Sequence, residues 1–198
     1  MDGVINLLKP AGMTSSDAVM AQRRLLGVRK IGHTGTLDPD AAGVLPVCIG
    51  KATRLFDYII DKQKTYVAEL RLGVTTDTQD ATGTVLSETD ADIPEEAVRA
   101  VLPRFVGDIL QTPPMYSAIK RGGKRLYELA RRGERVDIEP RPCHVDDVRL
   151  TAKLGKNRYR LEIDCCKGVY IRTLCHDIGA ALGCGGHMAA LTRTRAGV

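Results

Sequence analysis

The sequence has no apolar stretch approaching the roughly 20 residues that a helix needs to cross a bilayer, so no membrane-spanning helix is expected within it. Its first residues, MDGVINLLKPAGM, lack the basic start and long apolar run of a secretory leader. Regular cysteine spacing is missing as well. The six cysteines form no CxxC pair and no disulfide framework, and beside an ordinary core they read as free thiols in a reducing cytoplasm. Neither GxxxxGK[ST] nor GxGxxG occurs, which removes the usual phosphate-cradling loops. There is no internal repeat and no low-complexity segment. What remains is 198 residues, 43% of them hydrophobic, enough for one core with at most a small appendage.

Lys and Arg number 29 against 24 Asp and Glu, a mildly basic balance that permits a polyanionic partner without requiring one. The excess is uneven. Residues 121–135, RGGKRLYELARRGER, hold six Lys or Arg and two Glu, and Lys153, Lys156, Arg158 and Arg160 form a second cluster. On charge alone both read as solvated faces.

Periodicity places the elements. A strand over 4–8 runs into the Lys9-Pro10-Ala11-Gly12 turn, and Thr14, Ser15 or Ser16 caps a helix that reaches Leu26 and stops at Gly27. Residues 29–43 have no period and read as a long loop of the kind that usually carries function. A buried strand over 44–49 and a helix over 53–61 follow. Residues 65–72 alternate, with Tyr66, Ala68, Leu70 and Leu72 on one face. After a polar loop over 75–84 come a helix over 94–102, a rigid Gln111-Thr112-Pro113-Pro114 connection and a basic helix over 124–132 closed by Gly133. Strands near 145–152 and 158–165, a helix over 173–182 and a final strand over 189–194 complete the chain. Strands and helices are mixed without a βαβ rhythm, which predicts an α+β fold with a mostly antiparallel mixed sheet.

The most informative segment is Gly32-His33-Thr34-Gly35-Thr36-Leu37-Asp38-Pro39, continued by Ala41, Gly43, Leu45 and Pro46. It sets one carboxylate between Leu and Pro, with glycines nearby that let another backbone approach, and Asp before Pro is biased toward an extended or turn conformation. A bare Asp-Pro reads as an ordinary turn. The full string resembles the GHTGxLDPxAxGxLP signature of the TruB family of tRNA pseudouridine synthases. Other motifs agree along the whole chain. Lys9-Pro10-Ala11-Gly12-Met13-Thr14-Ser15 resembles KPxGxTS, and Lys64-Thr65-Tyr66 with Leu72-Gly73 and Thr76-Asp77-Thr78 resembles KxY...LGxxTDT. Pro114-Met115-Tyr116-Ser117-Ala118 with Lys120 resembles the lead into an RNA-clamping thumb, and Lys167-Gly168-Val169-Tyr170-Ile171-Arg172 resembles KGTYIR, with Val169 where Thr is common.

The resemblance implies the pseudouridine synthase fold: a central mostly antiparallel mixed sheet flanked by helices. It implies one catalytic domain over 1–198 with a thumb insertion near 108–135, and without the C-terminal PUA-type region usual in the family. Asp38 is then the expected nucleophile, Tyr66 the face on which the target base stacks, and Arg172 the partner of Asp38. Tyr170 and Leu191 are expected to line the uridine pocket, and His33 to fill the gap left by the flipped nucleotide. Lys9 and Lys64, from two of the motifs, are expected among the substrate-binding residues. Without the resemblance Tyr66 reads equally well as a core tyrosine on an alternating strand.

The chemistry suits these residue types. Uridine becomes pseudouridine when the N1–C1′ bond breaks and C5 joins C1′. As an isomerisation this requires no redox cofactor and no metal. A carboxylate can attack ribose C1′ or uracil C6, and the sequence does not choose between them. A guanidinium beside Asp38 is expected to favour its ionised form, and the base must leave its stack to be reached. Cys165, Cys166, Cys175, His176, Cys184 and His187 fall close together but fit no structural zinc spacing, so no metal is expected. The expected partner is a tRNA T-stem-loop, modified at position 55 by a cytoplasmic monomer without guide RNA. The alternatives are a tRNA-binding or tRNA-folding module without turnover and a guide-RNA-dependent synthase subunit.

Overall fold

A computed structural model describes residues 1–197 except Ala118, Arg131 and Arg135; of Lys120, Arg121, Lys124 and Arg125 it describes the backbone only. The chain opens with β1 (Gly3–Lys9), α1 (Ser15–Leu26), β2 (Ile31–His33) and β3 (Ala42–Ile49). A 3-10 turn, Gly50–Leu55, leads into α2 (Phe56–Ile60). Next come β4 (Lys64–Leu72), β5 (Val74–Thr76), β6 (Val85–Glu88), α3 (Glu95–Val101) and β7 (Gly107–Gln111). A small excursion holds β8 (Lys120–Arg121), β9 (Lys124–Arg125) and α4 (Leu126–Ala130). Then β10 (Arg141–Gly155), β11 (Arg158–Cys165), α5 (Ile171–Ala181) and β12 (Gly186–Ala196) close the fold.

One eight-stranded sheet runs β1-β3-β12-β4-β11-β10-β7, with β2 also on β3. Its β3–β12 pair is parallel and the other pairs are antiparallel. This is the α+β mixed sheet that the patterning predicts. The alternation of β4 is realised fully: Lys64, Tyr66, Ala68, Leu70 and Leu72 are all buried. The apolar members and Tyr66 join β11 residues Tyr159, Leu161 and Ile163 and α5 residues Leu174 and Ile178 in the main core. A second cluster gathers Ala18 and Val19 of α1 with Ile31, Leu45, Val47 and Ile49. The central strand β12 therefore joins the last part of the chain to the first.

Several elements differ from their expected form. Part of the long loop is strand: Ile31 is buried and pairs with Ile49, giving β2. The helix over 53–61 is split into the 3-10 turn and the short α2. The segment before Gln111 is an edge strand, and β10 is longer than expected at both ends. The basic helix is shorter. Gly122 and Gly123 both take positive φ, 57° and 83°, and form a two-residue turn that pairs Arg121 with Lys124. Only Leu126–Ala130 remains helical, with Leu126 and Leu129 buried, and Arg131 lies outside the described residues. The helix α5 begins two residues early, at Ile171, which brings Arg172 into its first turn.

Candidate active site

The site is built where the β1–α1 turn meets the loop after β2. Thr14 caps α1 with a reciprocal box: its Oγ1 accepts from Asp17 N at 3.0 Å, and Asp17 Oδ2 accepts from Thr14 N at 3.2 Å. This presents Ser15, 2% exposed, to the loop. Ser15 Oγ donates to Leu37 O at 3.1 Å and accepts from Leu37 N at 2.9 Å. Gly12 N donates to Pro39 O at 2.9 Å. Lys9 Nζ donates to the carbonyls of Pro10, Met13 and Pro39 at 2.8, 2.5 and 3.1 Å. Both neighbours of Asp38 are thus held by one turn, and the Asp38 side chain is left to project from between them.

Asp38 meets Arg172 from α5. Arg172 Nε lies 3.0 Å from Asp38 Oδ2, and Nη2 donates to Asp38 Oδ1 at 3.2 Å, a two-pronged pair. Nη2 also donates to Tyr116 O at 3.0 Å, and Nη1 stands 3.6 Å from Asp80 Oδ2. The Arg172 side chain is 7% exposed, whereas that of Asp38 is 35% exposed. Asp80 is fixed in turn, its Oδ1 accepting from Thr78 Oγ1 at 2.7 Å and Thr82 Oγ1 at 2.6 Å. Two carboxylates therefore share one guanidinium. The expectation that Arg172 favours the ionised form of Asp38 is right in its contact and incomplete in its result. Removal from water pushes the carboxyl above its ordinary range, and the repulsion of Asp80 and Asp40 adds to this. Arg172 and then Lys9 pull it back without restoring it.

These groups line a cavity of about 900 Å³. His33, Asp38, Arg172 and Leu191 all face it. Asp80, Tyr116, Ser117, Tyr127 and Met188 line it too, and the sequence assigns them no role. Asp80 sits in a polar Thr-rich loop whose pattern reads only as a turn. Tyr116 lies in a recognised motif, but nothing in its spacing marks it as facing the site. Tyr66 and Tyr170 are not among the described residues that line the cavity. Tyr66 is 8% exposed, in the core cluster that also holds Leu37 and Leu191, so it lies behind the cavity wall. Tyr170 is half-buried at the N-cap of α5. Gln111 holds its backbone by accepting from Tyr170 N at 2.9 Å and donating to its carbonyl at 3.3 Å, while its phenol faces Ser117.

Burial, and then the nearby Arg193 charge, hold the His33 pKa below the usual imidazole value, against a smaller opposing pull from a backbone hydrogen bond at Gly35. Lys9 and Lys64 do not reach the surface, 0% and 6% exposed. Lys64 Nζ donates to Ile60 O and Lys62 O at 2.8 and 2.9 Å. Both ammonium groups are occupied by backbone carbonyls and hold loops in this structure. Among the cysteines, burial pushes the Cys165 and Cys175 thiols up to about 12, as befits packed side chains.

Comparison with known proteins gives the family. Residues 23–171 match the TruB family pseudouridylate synthase (N terminal domain), and residues 172–198 match the tRNA pseudouridylate synthase B C-terminal domain. The chain belongs to the TruB family of pseudouridylate synthases. The boundary between the two matches falls inside α5, and β12 beyond it pairs with both β3 and β4. The chain is 54% identical to tRNA pseudouridine synthase B of Symbiobacterium thermophilum over all of its own length and 67% of that protein. It is also 54% identical to tRNA pseudouridine synthase B of Dechloromonas aromatica, over 98% of its own length and 64% of that protein. It therefore spans about two thirds of these relatives. Among solved structures it resembles a Cbf5-Nop10-Gar1 complex (TM-score 0.76, 35% identity, 98% of this chain and 48% of that one). It also resembles an H/ACA RNP bound to a substrate RNA containing 2′-deoxyuridine (TM-score 0.73, 32% identity, 98% and 47%).

Proposed function

We propose that this chain converts uridine to pseudouridine at position 55 in the T-loop of tRNA, with Asp38 as nucleophile. The observation that carries the reading is the Asp38 carboxylate, gripped by Arg172 at the wall of an open cavity in a chain of this family. The target nucleotide is flipped out of its stack into that cavity. His33, at its edge, takes the vacated place, and Leu191 packs on the base. Tyr66, just behind the wall, supplies the aromatic face on which the base stacks, and Tyr170 closes the pocket from the start of α5. Asp38 attacks C1′ or C6, the N1–C1′ bond breaks, the base turns, and C5 joins C1′. The bond to Asp38 is then released, returning the carboxylate, while the C5 proton leaves to water and N1 takes one up. The product has the composition of the substrate, so no cofactor and no metal is required. The chain acts in the cytoplasm as a monomer; among the described residues no helix is long and apolar enough to cross a membrane.

The likeness to Cbf5-containing complexes favours one other reading, a subunit that works with a guide RNA. The 54% identity to tRNA pseudouridine synthase B proteins, against 35% to that complex, supports the stand-alone reading. The test is a bare tRNA transcript with no guide and no added protein. Release of the C5 hydrogen from labelled uridine is expected. Release only when guide RNA and partner proteins are supplied would favour the second reading, and binding without release under either condition would leave an RNA-binding module.

A further inference from the structure

Arg193 is among the largest fully buried side chains of the described residues, 1% exposed. It lies on β12, two residues beyond Leu191, and its cross-strand partner on β4 is Tyr66. Among the described residues no carboxylate forms an ion pair with it. Its Nε donates to Val44 O at 2.8 Å, and Nη2 donates to Gly35 O at 3.1 Å. A buried guanidinium satisfied mainly by carbonyls is a costly arrangement, because desolvation of the charge is only partly returned. The chain places it between the loop that carries Asp38 and the strand that carries Tyr66.

Two glycines of the Asp38 segment are shaped around it. A Cβ on Gly43, φ +116°, would stand 2.1 Å from the Arg193 carbonyl oxygen, so only glycine lets β3 close on β12 there. A Cβ on Gly35, φ +99°, would stand 3.5 Å from Arg193 Nη1, so the loop backbone rests directly on the guanidinium. Across the ladder its partner Tyr66 is buried beside it, so ring and guanidinium are neighbours in the core, and the Arg193 charge is felt at Tyr66, His33 and Lys64. Arg193 cannot touch RNA itself, since it is sealed from solvent.

We infer that Arg193 is a positioning residue for the isomerisation. It locks the Tyr66 ring and the Gly35–Asp38 loop into one geometry and acts through the Tyr66 phenol. The inference rests on the proposed roles of Asp38 and Tyr66.

The test compares Arg193→Lys and Arg193→Gln in the parent and in a Tyr66→Phe background. It measures single-turnover release of the C5 hydrogen from a T-stem-loop RNA, and the RNA Kd. In the parent background the rate should fall about tenfold or more, as small misplacements near a reacting centre do, with Kd held within about twofold. In the Tyr66→Phe background the further loss should be no more than about twofold, because coupled residues are not additive. Equal losses in both backgrounds, or unchanged rates, overturn the inference. If the glutamine variant does not fold, the lysine variant carries the same comparison. Tyr66→Phe alone should lower the Tm, since it leaves a buried guanidinium donor short of an acceptor; an unchanged Tm counts against the inference. An inactive parent chain would instead contradict the proposed function, and the Tm comparison would still judge the Arg193–Tyr66 contact.

Discussion

At the scale of single residues, the environment of Asp38 decides how the site responds to pH. Burial and neighbouring carboxylates raise its pKa, and Arg172 limits the rise. A nucleophilic carboxylate must be ionised. The acid limb of kcat/KM should therefore have its midpoint above the ordinary aspartate value of about 3.9, and a pH–rate profile on T-stem-loop RNA checks this. The same shift sets the sign of a stability effect. For an acid whose folded-state pKa is raised, the stability it contributes is present below its unfolded pKa and lost as pH rises through the folded one. At neutral pH the charge on Asp38 therefore weighs against folding, and Asp38→Asn should melt at or above the parent temperature. Arg172 would keep Tyr116 O and Asp80 as partners in that variant. A clear fall in Tm by calorimetry would contradict this expectation. The pairing of Asp38 with Arg172 was legible only through the family resemblance that two motifs carry. The direction of the pKa was not, because desolvation depends on how loops from distant parts of the chain enclose the carboxyl.

At the scale of elements, the β1–α1 turn and the Asp38 loop behave as one unit. Lys9, Gly12 and Ser15 all bond to Leu37 or Pro39. The cap, the helix and the loop were legible in the sequence, but not the bonds between them, since a serine at a helix start reads as a cap wherever its hydroxyl points. Ser15→Ala should cost about 1–3 kcal/mol, the penalty for leaving buried partners unsatisfied, measured by denaturant unfolding. It should also lower kcat more than it raises KM, because it loosens the nucleophile and not the RNA surface. A variant of full stability and full kcat would remove Ser15 from this role. The glycine turn at 122–123 shows another limit. The basic run around it has a helical period, and only the paired positive-φ glycines reveal a hairpin.

At the scale of the whole molecule, β12 joins β3 and β4 at the centre of the sheet, so the last strand holds the Asp38 segment and the Tyr66 strand together. Mixed α+β architecture was legible from the strand and helix rhythm. The strand order was not, because the β3–β12 pairing spans most of the chain. The excess positive charge is also a property of the whole surface. Neutralising Lys124, Arg125, Arg131 and Arg132 together should weaken tRNA binding. It should also flatten the slope of log affinity against log salt by about 0.7–0.9 for each phosphate that is no longer neutralised. An unchanged slope would remove this segment from the RNA interface.

The central claim is that this chain forms pseudouridine through Asp38. Mass-spectrometric mapping of an unmodified tRNA transcript, treated in parallel with the parent chain and with Asp38→Asn, tests it most directly. Pseudouridine is expected at T-loop position 55 with the parent and none above background with Asp38→Asn, although that variant still binds the transcript. Pseudouridine formed by Asp38→Asn, scored early enough to exclude deamidation back to Asp, or none formed by the parent, would contradict the claim.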